Sequence, residues 1–192
     1  MGVLVLTGCD NPANMALSVG NESVSDTQIQ DSVHAVLVDR QNEKVDNSSN
    51  SLATGSALTN QVLQVYLGWL VITQVAKDLN VSQTPAGYIN YKTGFINSIG
   101  GTSILPATLA QHNIAQKDFE LIAQRAYAVS LLNEKAKALN LTNTNGEAIS
   151  NWINTWLTSH KVKINPKYGQ WDSQNFSIQN PVGSDGVEPA KN

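Results

Sequence analysis

Residues 60–80 read NQVLQVYLGWLVITQVAKDLN, the most apolar stretch in a chain of 192 residues. Val62, Val65, Tyr66, Trp69, Leu70, Ile72 and Val75 would cover most of the circumference of a helix. Gln61, Gln64, Gln74 and Lys77 interrupt that surface, whereas a membrane span needs about 20 predominantly apolar residues. A helix that is apolar on most sides, yet too polar to enter a bilayer, has to be wrapped by other elements. The stretch therefore predicts a mainly α fold built around it, in a chain long enough for one domain with a real core.

The other periodic segments supply the wrapping. Ser25 and Gln28 stand at the spacing of a capping box and open a helix to about Arg40, with Ile29, Val33, Val36 and Leu37 on one face. Thr84-Pro85 starts another, carrying Tyr88, Ile89, Tyr91, Phe95 and Ile99 up to a stop at Gly100-Gly101. A turn over 103–106 leads into a short helix at 107–111. Lys117 to Asn140 is a long helix with a stripe of Phe119, Ile122, Ala126, Val129 and Leu132, widened by Leu121, Ala128 and Leu131. In Glu147 to His160, residues Ile149, Trp152, Ile153, Trp156 and Leu157 follow i, i+3, i+4, i+7, i+8 throughout.

Strands are few. Residues 16–19 and 22–24 read as a hairpin around Gly20-Asn21, and Lys161-Val162-Lys163-Ile164 alternates before a turn at Asn165-Pro166. Residues 41–59 lack periodicity and read as a flexible connector, and 177–192 as a disordered tail. The organisation expected is a domain over 16–176 with two or three very short strands.

Composition removes several classes of function. A net charge of −3 with no basic run excludes phosphate-backbone binding, and only 14% of residues are charged. His34, His112 and His160 have no ligand spacing, so neither a metal nor any cofactor is expected. There is no Gly-x-Ser-x-Gly elbow, no phosphate-binding loop and no carboxylate pair in an apolar setting. Asn-x-Ser/Thr sequons at Asn21, Asn47, Asn80, Asn140 and Asn175 are what chance places in a chain so rich in these residues. No catalytic residue is expected. Aromatic side chains are the remaining resource. Tyr66 with Trp69, Phe119 with Tyr127, and Trp152 with Trp156 are either plain core or the walls of an apolar cradle for extended polypeptide.

The single cysteine, Cys9, rules out an internal disulfide and a multi-cysteine zinc site. Its polar neighbours Asp10, Asn11 and Pro12 suit neither a buried thiol nor an activated one. Leu6-Thr7-Gly8-Cys9 resembles the bacterial lipobox, in which the cysteine becomes the acylated first residue. Residues 1–8 would then be the remnant of a signal peptide and 9–15 a lipidated tether. An h-region of roughly 7–15 residues behind a basic n-region does not fit ahead of Cys9, which implies a start further upstream.

Two further stretches resemble one family. ALSVGNESVS followed by SDTQIQDSVHAVL is similar to the opening of SurA-type periplasmic chaperones. KVKINPKYGQWD, residues 161–172, resembles the ending of short actinobacterial lipoproteins with a SurA N-terminal domain. Val162, Ile164, Asn165, Pro166, Tyr168, Gly169, Trp171 and Asp172 match, and Lys167 stands where arginine is usual. The resemblance brackets nearly the whole chain after Cys9 and implies a SurA N-terminal-like helical chaperone domain. In it the first and last strands pair, bringing Val19 and Val24 near Val162 and Ile164. Family members with foldase activity add a parvulin isomerase domain, for which residues 80–145 lack the alternating strands and paired histidines. The function so implied is a lipid-anchored, extracytoplasmic chaperone without catalysis. Its partners would be unfolded secreted or envelope proteins, and its client contacts would be the six aromatic residues named above. The alternatives are an assembly lipoprotein with one folded partner and, further off, a peptidyl-prolyl isomerase.

Overall fold

Gly20 adopts φ +60°, the left-handed conformation that a two-residue hairpin turn asks of its first central residue. It joins β1 (Met15–Val19) to β2 (Glu22–Ser25), and the two strands run antiparallel with Val19 opposite Glu22. The computed structural model describes residues 14–45, 52–141, 147–173, 175 and 177–179. Ser25 ends β2 and caps α1 (Asp26–Asn42). Its hydroxyl accepts from the Gln28 amide, and the Gln28 side chain accepts from the Ser25 amide, completing the expected capping box.

The apolar segment becomes α2 (Gly55–Asp78), the central element. It packs against α1, α5 (Phe119–Ala138), α6 (Glu147–Ser159) and β1. Leu58, Leu63, Leu67 and Val75 lie in the main core with Leu17, Ile29, Val36 and Leu132. Thr84 caps α3 (Pro85–Ser98) by accepting from the Gly87 amide, with Pro85 at the first helical position. α4 (Leu105–Gln111) and a 3₁₀ turn at Gln116–Asp118 lead into α5.

The two ends of the fold meet in a sheet of order β2-β1-β3, where β3 (Val162–Ile164) pairs antiparallel with β1. Val19 lies opposite Val162 and Leu17 opposite Ile164, whereas Val24 faces Leu17 from the other side of β1. A separate pair follows, β4 (Gln170–Asp172) with β5 (Ser177–Gln179). The described residues are thus mainly helical, with six α-helices and five short strands.

Several sequence expectations need correction. The connector is shorter than 41–59, because Gln41 and Asn42 finish α1 and α2 starts at Gly55, drawn in by Leu58 at 0% exposure. Residues 46–51 lie outside the described residues. The supposed tail contributes β5 at 177–179, and the sheets hold five strands where two or three were expected. Leu37 points outward while Arg40 is 2% exposed, so the inner face of α1 turns toward α4 near its end. In α5, Ala123, Tyr127 and Ala136 line the interior, and Ile122 and Ala126 are only half-buried. The small alanines let α5 approach α2 closely, which rotates the stripe from the position that bulky residues alone suggest.

Candidate functional site

The six aromatic residues fall in three places. Trp152 and Trp156 sit on α6 against the main core, with Trp156 buried and Trp152 half-buried. The Trp156 indole donates to Asp78 at 2.7 Å, and its ring stacks on His160 with centroids 3.8 Å apart. Phe119 and Tyr127 are buried under α3, where Tyr88 and Tyr91 tilt against Tyr127 and Phe95 stacks on Phe119. Tyr66 and Trp69 line a cavity of about 300 Å³ between β2, α2 and the start of α5. No single groove unites the three groups. Cys9 lies outside the described residues.

The cavity is built by ordinary helix geometry. Tyr66, Trp69 and Leu70 stand at i, i+3 and i+4 on one face of α2, and Leu121 comes from the first turn of α5. The buried Tyr66 hydroxyl donates to Asp118 at 2.8 Å and lies 3.0 Å from the Ser32 hydroxyl, which fixes the ring. Burial above all, and the Asp118 carboxylate, push the Tyr66 phenol up to about 12 against an opposing hydrogen bond from Ser32. At neutral pH Tyr66 is therefore a donor and not a base. Trp69 is half-buried and its indole donates to Gln124 at 3.1 Å, leaving one flank of the ring on the cavity. The rim carries Glu22, Asp118 and Glu120 against Lys117, whose ammonium is 3.6 Å from Asp118.

Beside this cavity α3 is held lightly. None of its residues is fully buried, and Ile89 is 62% exposed. Its polar fastening is Glu120, which accepts hydrogen bonds from the Tyr88 hydroxyl and from Lys92, the latter at 2.5 Å. Burial raises the Glu120 carboxyl, but the Lys92 and Tyr88 bonds outweigh it and hold the group below its ordinary value.

Neither histidine nor cysteine lines the cavity. Among the described residues no group of three or more His, Cys, Asp or Glu side chains could hold a metal, and no helix is long and apolar enough to cross a membrane. The rim residues Glu22, Ser23, Asp118 and Glu120 were not singled out from the sequence, and Gln28 was read only as a helix-capping residue. Only the Gly20-Asn21 turn, which places 22–24 in a strand, pointed toward them. No protein-family model, curated protein or solved structure matches this chain.

Proposed function

We propose that this chain is a chaperone-like lipoprotein, tethered to the extracytoplasmic face of a bacterial membrane through Cys9. It holds extended apolar segments of secreted or envelope proteins and performs no chemical step. The observation that carries the reading is the cavity walled by Tyr66, Trp69, Leu70 and Leu121 on the open flank of the hairpin. Burying one large apolar side chain there is worth about 1.5–3 kcal/mol. Ordering the client offsets much of that gain, so binding through one cavity is reversible, as holding requires. The finer SurA N-terminal-like assignment belongs to the same proposal. It is supported by the antiparallel pairing of β1 with β3, which the resemblance anticipates. Acyl chains on Cys9 would supply the anchor, since two chains retain a protein stably where one is marginal.

Two measurements test the reading together. Labelled fatty acid should enter the wild-type protein in bacterial cells and be absent from Cys9→Ala. The purified soluble part should bind a reduced, denatured secretory protein and leave the same protein in its native form unbound. Binding to one native envelope protein and to no denatured one would establish the assembly lipoprotein instead. An unacylated protein in the cytosol would remove the anchor.

A further inference from the structure

In the β2-β1-β3 sheet, β2 has β1 on one side and no described strand on the other. Hydrogen-bonded and non-bonded pairs alternate along an antiparallel ladder. On the far side of β1, the Gly20 amide donates to the Lys161 carbonyl and the Asn165 amide to the Ala16 carbonyl. Even-numbered residues of β1 therefore turn their backbone groups toward β3, and Leu17 and Val19 turn theirs toward β2. Their partners Val24 and Glu22 complete the β1–β2 ladder. Ser23 stands opposite Ser18, so its amide and carbonyl point away from β1, over the free edge. The cavity walled by Tyr66, Trp69, Leu70 and Leu121 lies along the same strand, because Glu22, Ser23 and Val24 form part of its lining.

Charge selects among occupants. Lys117 faces Asp118, and Lys92 neutralises Glu120, whereas Glu22 stands exposed on the rim and makes no ion pair among the described residues. A strand alternates its side chains at a period of two, so a paired segment offers the cavity an apolar residue with its immediate neighbours turned away from it. Backbone pairing supplies affinity in strand addition, and a side-chain pocket supplies preference.

We propose that β2 accepts an added strand. The occupant is an extended segment of another polypeptide that pairs with Ser23, seats one apolar or aromatic side chain against Tyr66 and Trp69, and brings lysine or arginine beside Glu22. The inference rests on the holding function and names how the held segment is recognised. β2 is only four residues long, so the pairing is brief and reversible.

The test titrates the isotope-labelled protein with a short capped peptide alternating lysine and valine around one phenylalanine. Saturable shifts should centre on Glu22–Val24 and Trp69, with slowed exchange of the Ser23 amide. Methylating alternate peptide nitrogens should weaken binding about tenfold, the effect of losing backbone hydrogen bonds from a short ladder. Ser23→Pro should weaken it similarly while keeping the fold, since proline is tolerated where an edge N–H faces outward. Replacing the peptide's lysines by glutamate should also weaken binding, and Glu22→Lys should reverse that preference. Equal binding of the methylated peptide, or unchanged binding by a folded Ser23→Pro protein, overturns strand addition. So does a Ser23 amide already protected in the free protein, which would mean that a second copy or the chain's own ends occupy the edge. If Ser23→Pro still suppresses aggregation as well as wild type, strand addition fails and holding stands. If wild type suppresses none, holding fails, and the peptide titration still decides the edge.

Discussion

Arg40 carries the largest departure from what a periodic reading of α1 suggests. Its guanidinium donates to the Ala53 carbonyl at 2.8 Å and to the Asn113 side chain, which in turn donates to Gln61 at 2.7 Å. The residue thereby ties the end of α1 to the approach to α2 and to the segment behind α4. Truncating it leaves buried acceptors unpaired, each costing about 1–3 kcal/mol. Arg40→Ala should lower the denaturation midpoint with little change in slope, and an unchanged midpoint would contradict the network. Local patterns reveal a cap such as Ser25 because both partners lie within one turn. They do not reveal Arg40, whose acceptors come from distant segments and whose charge marks it for the surface. Glu120 makes a second residue-level prediction. Its folded-state value lies below the ordinary one, so its contribution is complete above the ordinary carboxylate range and is lost as pH falls through the depressed value. Protection factors of the α3 amides should drop over that window in wild type. In Glu120→Gln they should be low already at neutral pH and flat across the same range.

The NPKYGQWD stretch was readable as a motif, and the structure shows what Asn165 to Gly169 and Asp172 do in it. The Asn165 side chain accepts from the Lys167 amide and donates to the Met15 carbonyl, holding the chain against β1. Pro166 starts a 3₁₀ turn that delivers the buried Tyr168 ring. The Tyr168 hydroxyl donates to Asp26 and accepts from Gln30, both on α1, and Lys167 pairs with Asp26 at 2.5 Å. Those hydrogen bonds from Lys167 first, and then from Tyr168, hold the Asp26 carboxyl below its usual value. Asp172 accepts from the Asn175 amide and from Gln179, which draws β5 back onto β4. Gly169 is required twice over. Its φ is +128°, and a Cβ there would come within 1.9 Å of the Gln179 carbonyl oxygen. Gly169→Ala should cost more than about 1 kcal/mol and release β5 from β4. A melting temperature equal to wild type would contradict that account. β5 itself escaped the sequence reading because SIQ is too short to show alternation, and its pairing depends on this glycine turn.

In the molecule as a whole, two apolar clusters carry different duties. The main one gathers α1, α2, α5, α6 and the sheet around Leu63, Leu132 and Val75. The smaller one, Leu109, Phe119 and Ala123 with Tyr88 and Phe95, seats α3 together with the Tyr127 ring and the Glu120 fastening. Helix periodicity located the long helices, because an amphipathic stripe is a local property of the chain, whereas α4 was read from the turn before it and begins two residues earlier, at Leu105. Periodicity did not show that six aromatic residues would divide among three places, nor that β2 would form an open edge beside Trp69. The first depends on how the helices pack across long sequence separations, and the second on β3 returning from the far end of the sequence to pair with β1 rather than β2; no local pattern encodes either. The central claim is that the protein lends apolar surface to unfolded chains without chemistry. The most direct measurement is light scattering from a denatured secretory protein diluted out of denaturant in the presence of the purified soluble part. The account predicts suppressed scattering near stoichiometric amounts and a weaker effect for Trp69→Ser. Undiminished aggregation at stoichiometric excess of wild type would contradict it.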